Sequence, residues 1–218
     1  ATQGYLTQGM EPVSQSLQHS VENWLEEMQE RKRWFPLLFE GLCQEEAEPL
    51  VLQLHRRAQG LFGFQGELVI LESQSLYNDW QACGMGVLRD YMGKTLYLSH
   101  INALPLQQRM SFLDFLWAAE DIREGRLLLF VDIPQHLSMG EAERLSKLSP
   151  YRLFRPPLFE RSSDIDHLIC HLTQGLIAQH NFDHIEGFSI EAVAHVHRAI
   201  LQTSKDSGDL FRFLEKVI

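Results

Sequence analysis

Four short runs of apolar residues, separated by helix-like segments, constrain the fold of this 218-residue chain more than any other feature. The runs fall at residues 34–39, 67–71, 96–98 and 126–132. Strands that are apolar on both faces are typical of a parallel sheet covered by helices on both sides. Apolar residues at three-to-four spacing predict helices over residues 17–32, 45–58, 105–120 and 139–147. We therefore expect an α/β domain built on a parallel sheet.

The strand signals end at Pro156 and Pro157. The remaining residues predict three helices, over 163–180, 189–203 and 208–218. We therefore expect a flexible lead-in over residues 1–16, an α/β subdomain over 17–158 and a small helical subdomain over 159–218.

Composition excludes several classes of function. The formal net charge of −10 argues against direct nucleic-acid binding by this segment. No apolar run approaches the roughly 20 residues that a membrane-spanning helix needs, and the first residues do not form a signal peptide. Cys43, Cys83 and Cys170 are too few and too far apart for a disulfide framework, which favours a reducing cytoplasm.

Two segments resemble the central AAA+ domain of bacterial sigma-54-dependent transcriptional activators, the enhancer-binding proteins. Residues 95–108, TLYLSHINALPLQQ, are similar to that family's Walker B segment, GTLFLDEIGELPLxLQ. Residues 151–165, YRLFRPPLFERSSDI, are similar to its segment YRLxxFxIxLPPLRERxxDI. Weaker matches at residues 37–41 and 208–214 fall in the same order. The resemblance spans about residues 17–218 and implies a P-loop NTPase-like AAA+ sheet followed by a helical lid.

The residues of ATP chemistry are replaced at the matching positions. A phosphate-binding loop needs glycines and a lysine. The matching Walker A region here includes Gly41, Glu46, Ala47 and Glu48, with Ala47 at the place of the lysine. The two acidic residues of Walker B, which organise Mg²⁺ and the attacking water, correspond to Ser99 and His100.

Three further sequence motifs of the family have no match in this chain. Residues 72–93 contain no GAFTGA motif, the loop that grips sigma-54. The arginine fingers should precede Tyr151, but residues 145–150 contain only Lys147. The sensor arginine of the lid falls at Phe211, with Arg212 one place later. These losses predict a degenerate form that lacks ATPase activity and carries no cofactor.

The resemblance therefore implies a non-catalytic regulatory or protein-interaction module in bacterial transcription regulation. Its expected partner is a regulator, a AAA+ homologue or a second copy of the chain, without direct DNA or membrane binding. Ring assembly in the family depends on nucleotide and arginine fingers, so we expect a monomer or dimer rather than a hexamer. In that family a helix-turn-helix DNA-binding domain normally follows the lid, so such a chain could be a fragment of a longer protein.

Two other functions remain open. The cleft between sheet and lid could bind a nucleotide without hydrolysis, with Arg152, Arg155 and Arg161 as candidate phosphate contacts. An enzyme of unrelated chemistry could use His100 as a general base together with Asp132 at the end of the next strand.

Other chemistry-bearing residues favour ordinary structural roles. The histidines at 167, 171, 180, 184, 195 and 197, with Cys170, match no zinc-site spacing, so solvent-facing positions are expected and no metal. Gly84-Met85-Gly86 is a weak phosphate-loop signal and favours a turn. The aromatic residues Phe62, Phe64, Trp80, Trp117, Phe211 and Phe213 are interpreted mainly as core, although Phe62 and Phe64 could contact a partner.

Overall fold

The computed structural model describes residues 15–41, 44–62, 65–134, 136–154 and 189–203. It also describes residues 165, 169–170, 173–174, 176–178, 210 and 212–214. The chain divides into two compact units. One contains residues 16–42 and 47–155, and the other contains residues 1–15, 43–46 and 156–218.

The first unit is built on a five-stranded parallel sheet with the order β2-β3-β4-β1-β5. The strands are β1 (Leu37–Glu40), β2 (Leu68–Glu72), β3 (Thr95–Ser99), β4 (Leu128–Ile133) and β5 (Arg152–Phe154). The parallel α/β fold predicted from the apolar runs is confirmed. Because β4 lies between β1 and β3, the ends of the first and third strands flank the end of the fourth.

Helices connect the strands. They are α1 (Gln15–Arg31), α2 (Gln44–Phe62), α3 (Ser73–Cys83), α4 (Leu106–Ala118), α5 (Glu120–Arg123), α6 (Met139–Leu148) and α7 (Ile190–Thr203). Two 3₁₀ segments, Gly84–Tyr91 and Ile101–Ala103, follow α3 and β3. No helix in the described part of the chain is both long and apolar enough to cross a membrane.

Alternate residues of each strand form two separate cores. On one face, Phe39, Tyr97 and Phe130 pack edge to face, and Trp24 of α1 packs against Phe130 at 5.8 Å between ring centroids. On the other face, leucines and valines of the same strands pack with buried residues of α3, α4 and α6. Burial on both faces explains why the strands read as continuous apolar runs.

The second unit has a small apolar core of its own. Ile165, Ile169, Leu176, Val196, Leu210 and Leu214 are buried together. Phe213 is partly buried against this cluster, whereas Phe211 lies outside the described residues.

Three features of the first unit differ from the sequence interpretation. Residues 152–154 form β5, which pairs with β1, although three residues are too few to show a strand period. Residues 73–83 form α3, which the pattern did not predict. Trp117 was wrongly placed in the core: it is 44% exposed, because the buried stripe of α4 runs through Phe112, Leu113, Phe115 and Leu116.

Candidate functional site at the carboxyl edge of the sheet

The strands of a parallel sheet end at one edge, and ligands of open α/β sheets bind beyond that edge. In this chain the edge is formed where β1, β3 and β4 end, next to Gly41, His100 and Asp132. The sequence placed its candidate Walker residues at the same edge.

The connection from β1 to α2 consists only of residues 41–43. Gly41 adopts a φ of +81°, a conformation that glycine enters without the steric cost of a Cβ atom. A Walker A motif spans eight residues, and its backbone N–H groups wrap the phosphates. This three-residue connection is too short for such a wrap.

Three of the four residues matched to Walker A, at positions 46–48, fall in α2, and Gly41 precedes that helix. Ala47 is 1% exposed, so the position matched to the lysine is buried and carries no amine. Glu48 is half-buried in the same helix, and the side chain of Glu46 lies outside the described set. The residues present do not fit a triphosphate.

Ser99 and His100 hydrogen-bond to each other and to neighbouring backbone. Ser99 Oγ donates to the carbonyl of Leu71 at 3.3 Å, and His100 Nδ1 lies 3.1 Å from Ser99 Oγ. Ser73 Oγ donates to the carbonyl of Ser99 at 2.8 Å. The tautomer of His100 decides which of the two side chains donates in the Ser99–His100 contact.

The backbone of His100 is left-handed, with φ of 54° and ψ of 40°. A residue with a Cβ atom enters this region at a cost of roughly 1 kcal/mol, and such residues concentrate at tight turns and functional sites. The conformation begins the 3₁₀ segment Ile101–Ala103, where Ala103 N–H donates to the His100 carbonyl at 2.9 Å. It also directs the His100 backbone N–H to the carboxylate of Asp132.

Asp132 is the only titratable group at this edge, among the described residues, whose pKa is strongly shifted. Burial raises its pKa to about 6, and the His100 backbone N–H and the nearby His100 ring offset part of that rise. The structure therefore brings His100 and Asp132 together, as the third sequence hypothesis required. The hydrogen bond reaches the His100 backbone, however, so Asp132 does not orient the imidazole as a catalytic dyad does.

Of the three candidate phosphate contacts, the structure describes only Arg152, which does not lie beside Asp132. Arg152 is half-buried, lies 4.0 Å from a carboxylate oxygen of Glu40 and donates to Ser146 Oγ at 3.2 Å. The register pairs Arg152 with Leu38, which places its side chain on the sheet face opposite to that of Asp132. Arg155 and Arg161 lie outside the described residues.

The structure describes only some of the other candidates of the sequence. His195 is exposed and His197 is half-buried on α7, Cys170 is exposed, and the remaining four histidines lie outside the described set. No group of three potential metal ligands occurs among the described residues. Gly84-Met85-Gly86 starts a 3₁₀ segment. Phe64 and the side chain of Phe62 are outside the described set.

The remaining elements of the resemblance also have ordinary structural positions. The interval expected to hold the sigma-54-gripping loop forms α3 and a 3₁₀ segment, with Leu76 and Leu88 fully buried. Lys147 pairs with Glu143 at 2.7 Å in the last turn of α6. Trp80 stacks on Phe115 with 4.6 Å between ring centroids. Arg212 is exposed.

Sequence reasoning missed a buried ion pair next to the His100 turn. Arg109 of α4 pairs with Glu141 of α6 and donates to the carbonyls of Asn102 and Leu104. Burial would raise the pKa of Glu141, but the hydrogen bonds from Ser138 and Arg109 outweigh that effect and lower it. The spacing Ser138-x-x-Glu141, a capping box, was the available sequence signal.

No protein-family model and no curated protein sequence matches the chain. Among solved structures, NtrX from Brucella abortus in complex with ATP is similar, with a TM-score of 0.57 and 16% identity over 90% of this chain and 48% of that one. The same protein in complex with ADP gives a TM-score of 0.55 at 15% identity, over 90% and 49% of the two chains.

ORC1 from Aeropyrum pernix in complex with DNA gives a TM-score of 0.52 at 15% identity, over 90% of this chain and 57% of that one. The chain thus spans about half the length of these structures. They are AAA+ P-loop ATPases, so the fold of this chain is of the AAA+ type.

Proposed function

We propose that this AAA+-type fold is a regulatory module that binds another protein and does not hydrolyse ATP. We infer this function from the residues at the carboxyl edge of the sheet. A fold alone hosts many functions, so the argument depends on the site.

The short connection between β1 and α2 carries the proposal. Residues 41–43 offer few backbone N–H groups, and the buried Ala47 offers no charge to a β- or γ-phosphate. Every P-loop mechanism needs this wrap to position the γ-phosphate, so its loss removes ATP hydrolysis at the first step.

The end of β3 supports the same conclusion. Mg²⁺ prefers carboxylate oxygens, and the two positions matched to Walker B are Ser99 and His100. The carboxylates at the ends of the strands are Glu40, which lies 4.0 Å from Arg152, Glu72, which is exposed, and Asp132, whose pKa burial raises to about 6. Among the described residues, no group of three potential metal ligands comes together.

Regulation of bacterial transcription is the setting that the sequence resemblance favours. The matches at residues 95–108 and 151–165 point to sigma-54 activators, and NtrX is among the similar structures. The charge of −10 assigns any DNA contact to another part of such a protein. A module that keeps the AAA+-type fold but does not hydrolyse ATP would act by binding other proteins at its surface.

Calorimetric titration with ATP and Mg²⁺, together with a phosphate-release assay, tests the proposal. We expect neither binding nor hydrolysis. ATP binding at micromolar affinity with Mg²⁺-dependent hydrolysis would contradict it. An Asp132→Asn variant serves as the control for any weak turnover, because Asp132 is the carboxylate that accepts the His100 backbone N–H at this edge.

A second function, nucleotide sensing without hydrolysis, is favoured by one observation: NtrX has been solved in complex with both ATP and ADP. The same titration, extended to GTP and cyclic dinucleotides, separates the two. Saturable binding without hydrolysis that is lost in Arg152→Ala supports the sensor, and absence of binding to all of them removes it.

A further inference from the structure

The strand β2 forms one outer edge of the sheet, because it pairs with β3 and with no other described strand. Its four consecutive apolar residues, at positions 68–71, are less covered than the apolar residues of the inner strands. None of the four is buried and Ile70 is 45% exposed, whereas every residue of β3 is buried. An exposed apolar strand at the edge of a sheet is a template on which another strand can pair.

The backbone of β2 offers hydrogen-bonding groups to such a strand. The Glu67 carbonyl accepts the Thr95 N–H at 3.0 Å, so the backbone groups of residues 67, 69 and 71 point toward β3. Because successive residues of a strand direct their N–H and C=O groups to opposite sides, those of Leu68 and Ile70 point away from the sheet. No hydrogen bond from the described part of the chain reaches these outward groups.

The β2 edge lacks the features that usually prevent one sheet from pairing with another. Edge strands are commonly very short, bulged, or supplied with a proline or a charged residue. The strand β5, at the opposite edge, has three residues and begins with Arg152. By contrast, β2 has five residues in unbroken register with β3, and its charged residue, Glu72, stands at its very end. This difference favours pairing at the β2 edge.

The sequence of β2 is complementary to itself in an antiparallel register centred on Val69. In that register Leu68 of each copy lies opposite Ile70 of the other, and each outward N–H of one copy bonds an outward carbonyl of the other. Ile70 shares a sheet face with the buried Tyr97, so Leu68 of the second copy would cover its exposed side chain. The two Val69 side chains meet on the other face.

Charge permits this register and also weakens it. Glu72 of each copy lies opposite Gly66 of the other, and Glu67, which pairs with Lys94 at 2.8 Å, lies opposite Leu71. Like charges directly opposite would be destabilising, and this register brings none together along the paired strands. The net charge of −10 on each copy still makes the copies repel at longer range. Salt should therefore strengthen the association.

We propose that two copies of this chain associate through their β2 edges, in antiparallel register, and so join their five-stranded sheets into one continuous sheet. Because the same edge serves both copies, the pair has a twofold axis. The proposal names a partner for the protein-binding function and rests on that function. Pairing of one short strand makes a small interface, so the dimer is weak, with a dissociation constant on the order of 100 μM.

Sedimentation equilibrium at chain concentrations from about 10 μM to about 1 mM measures the association. We expect an equilibrium between monomer and dimer that needs no nucleotide and that tightens as NaCl rises from about 30 mM to about 300 mM. A chain that stays monomeric over this range would overturn the proposal, and so would a chain that forms only larger assemblies.

Amide hydrogen exchange, followed by NMR, identifies the groups that pair. The N–H groups of Leu68 and Ile70 should exchange freely in dilute solution and several-fold more slowly when the dimer predominates. The N–H groups of Val69 and Leu71 point toward β3 and should change little. Protection of Leu68 and Ile70 that is already present in the monomer would show that the edge is occupied and would overturn the proposal. A dimer that leaves their exchange unchanged would overturn it as well.

Ile70→Lys and Leu106→Lys form a matched pair of variants, because the two side chains are 45% and 46% exposed and Leu106 lies on α4. Both variants change the net charge equally. We expect Ile70→Lys to raise the dissociation constant at least about tenfold, because it removes the apolar contact with Leu68 of the second copy and places a charge at the edge. Leu106→Lys should change it less than about twofold. Equal effects of the two variants would contradict pairing through β2.

Ile70→Pro removes the outward N–H of the edge strand and should also raise the dissociation constant at least about tenfold. Thermal unfolding verifies that each variant is folded, and Ile70→Lys keeps the test valid if the proline variant is not. Failure of this proposal differs from failure of the proposed function. A monomeric chain would refute only the pairing of β2, whereas Mg²⁺-dependent ATP hydrolysis would refute the non-hydrolysing function whether or not β2 pairs.

Discussion

At the scale of single residues, the sequence predicted which positions end the strands but not how their atoms meet. Ser99, His100 and Asp132 were placed at the carboxyl edge because each follows an apolar run. The left-handed backbone of His100 carries no pattern in one sequence, since the residue is neither glycine nor asparagine. That conformation directs the backbone N–H, rather than the ring, to Asp132.

The buried Asp132 makes stability depend on pH in a defined direction. Its pKa is raised from 3.8 to about 6 in the folded state, so the folded state binds the proton more tightly than the unfolded state. Its contribution to the free energy of unfolding is therefore most favourable below about pH 4 and is lost as pH rises to about 6. The loss amounts to about 3 kcal/mol at 1.36 kcal/mol per pKa unit.

Asp132→Asn removes the charge and keeps an oxygen that accepts the His100 N–H. We expect this variant to gain about 2 kcal/mol of stability relative to the unaltered chain on going from pH 4 to pH 8. Urea denaturation at the two pH values measures the change. Asp79→Asn, at an exposed position of α3, is the control and should show almost no such difference. An equal effect of Asp132→Asn at both pH values would contradict the prediction.

At the scale of helices and strands, the continuous apolar runs predicted four of the five strands, because both sheet faces are buried. The pattern failed where an element is short or has a mixed surface. β5 has three residues, and α3 mixes polar residues with Tyr77 and Trp80, which lie only partly buried. Trp117 was misplaced because helical spacing cannot tell the centre of an apolar stripe from its margin.

The ion pair between Arg109 and Glu141 joins two of these elements, α4 and α6, below the His100 turn. The two side chains are 15% and 2% exposed, so removing one leaves the other charge poorly solvated. We expect Arg109→Met to lower the free energy of unfolding by about 3 kcal/mol. A double-mutant cycle with Glu141→Gln should give a coupling energy of at least about 1.5 kcal/mol.

The exposed pair of Glu143 and Lys147, four residues apart on α6, provides the comparison. Its coupling energy in the same urea experiments should stay below about 0.5 kcal/mol, because water and salt screen exposed charges. Equal coupling energies for the two pairs would show that the Arg109–Glu141 contact is no more than a surface interaction.

At the scale of the whole molecule, the parallel α/β fold class was recoverable from the sequence, and solved AAA+ structures share this fold at only 15–16% identity. The sequence indicated the candidate site only as the positions where residues of other types stand in place of the Walker A and Walker B residues.

The oligomeric state that we expect follows from the proposed loss of ATP binding and hydrolysis. Ring assembly in the family that the sequence resembles needs a nucleotide between subunits, and this chain has Ala47 and a three-residue connection where that nucleotide would bind. The net charge of −10 also makes copies of the chain repel one another at low salt.

We therefore expect the chain to remain a monomer or dimer whether or not ATP and Mg²⁺ are present. Sedimentation equilibrium with and without ATP and Mg²⁺, at low and moderate salt, measures this directly. ADP is the control for effects of nucleotide binding alone. A larger assembly that forms only with ATP would mean that the carboxyl edge still binds a triphosphate, and the interaction-module function would then have to give way to an ATP-dependent one.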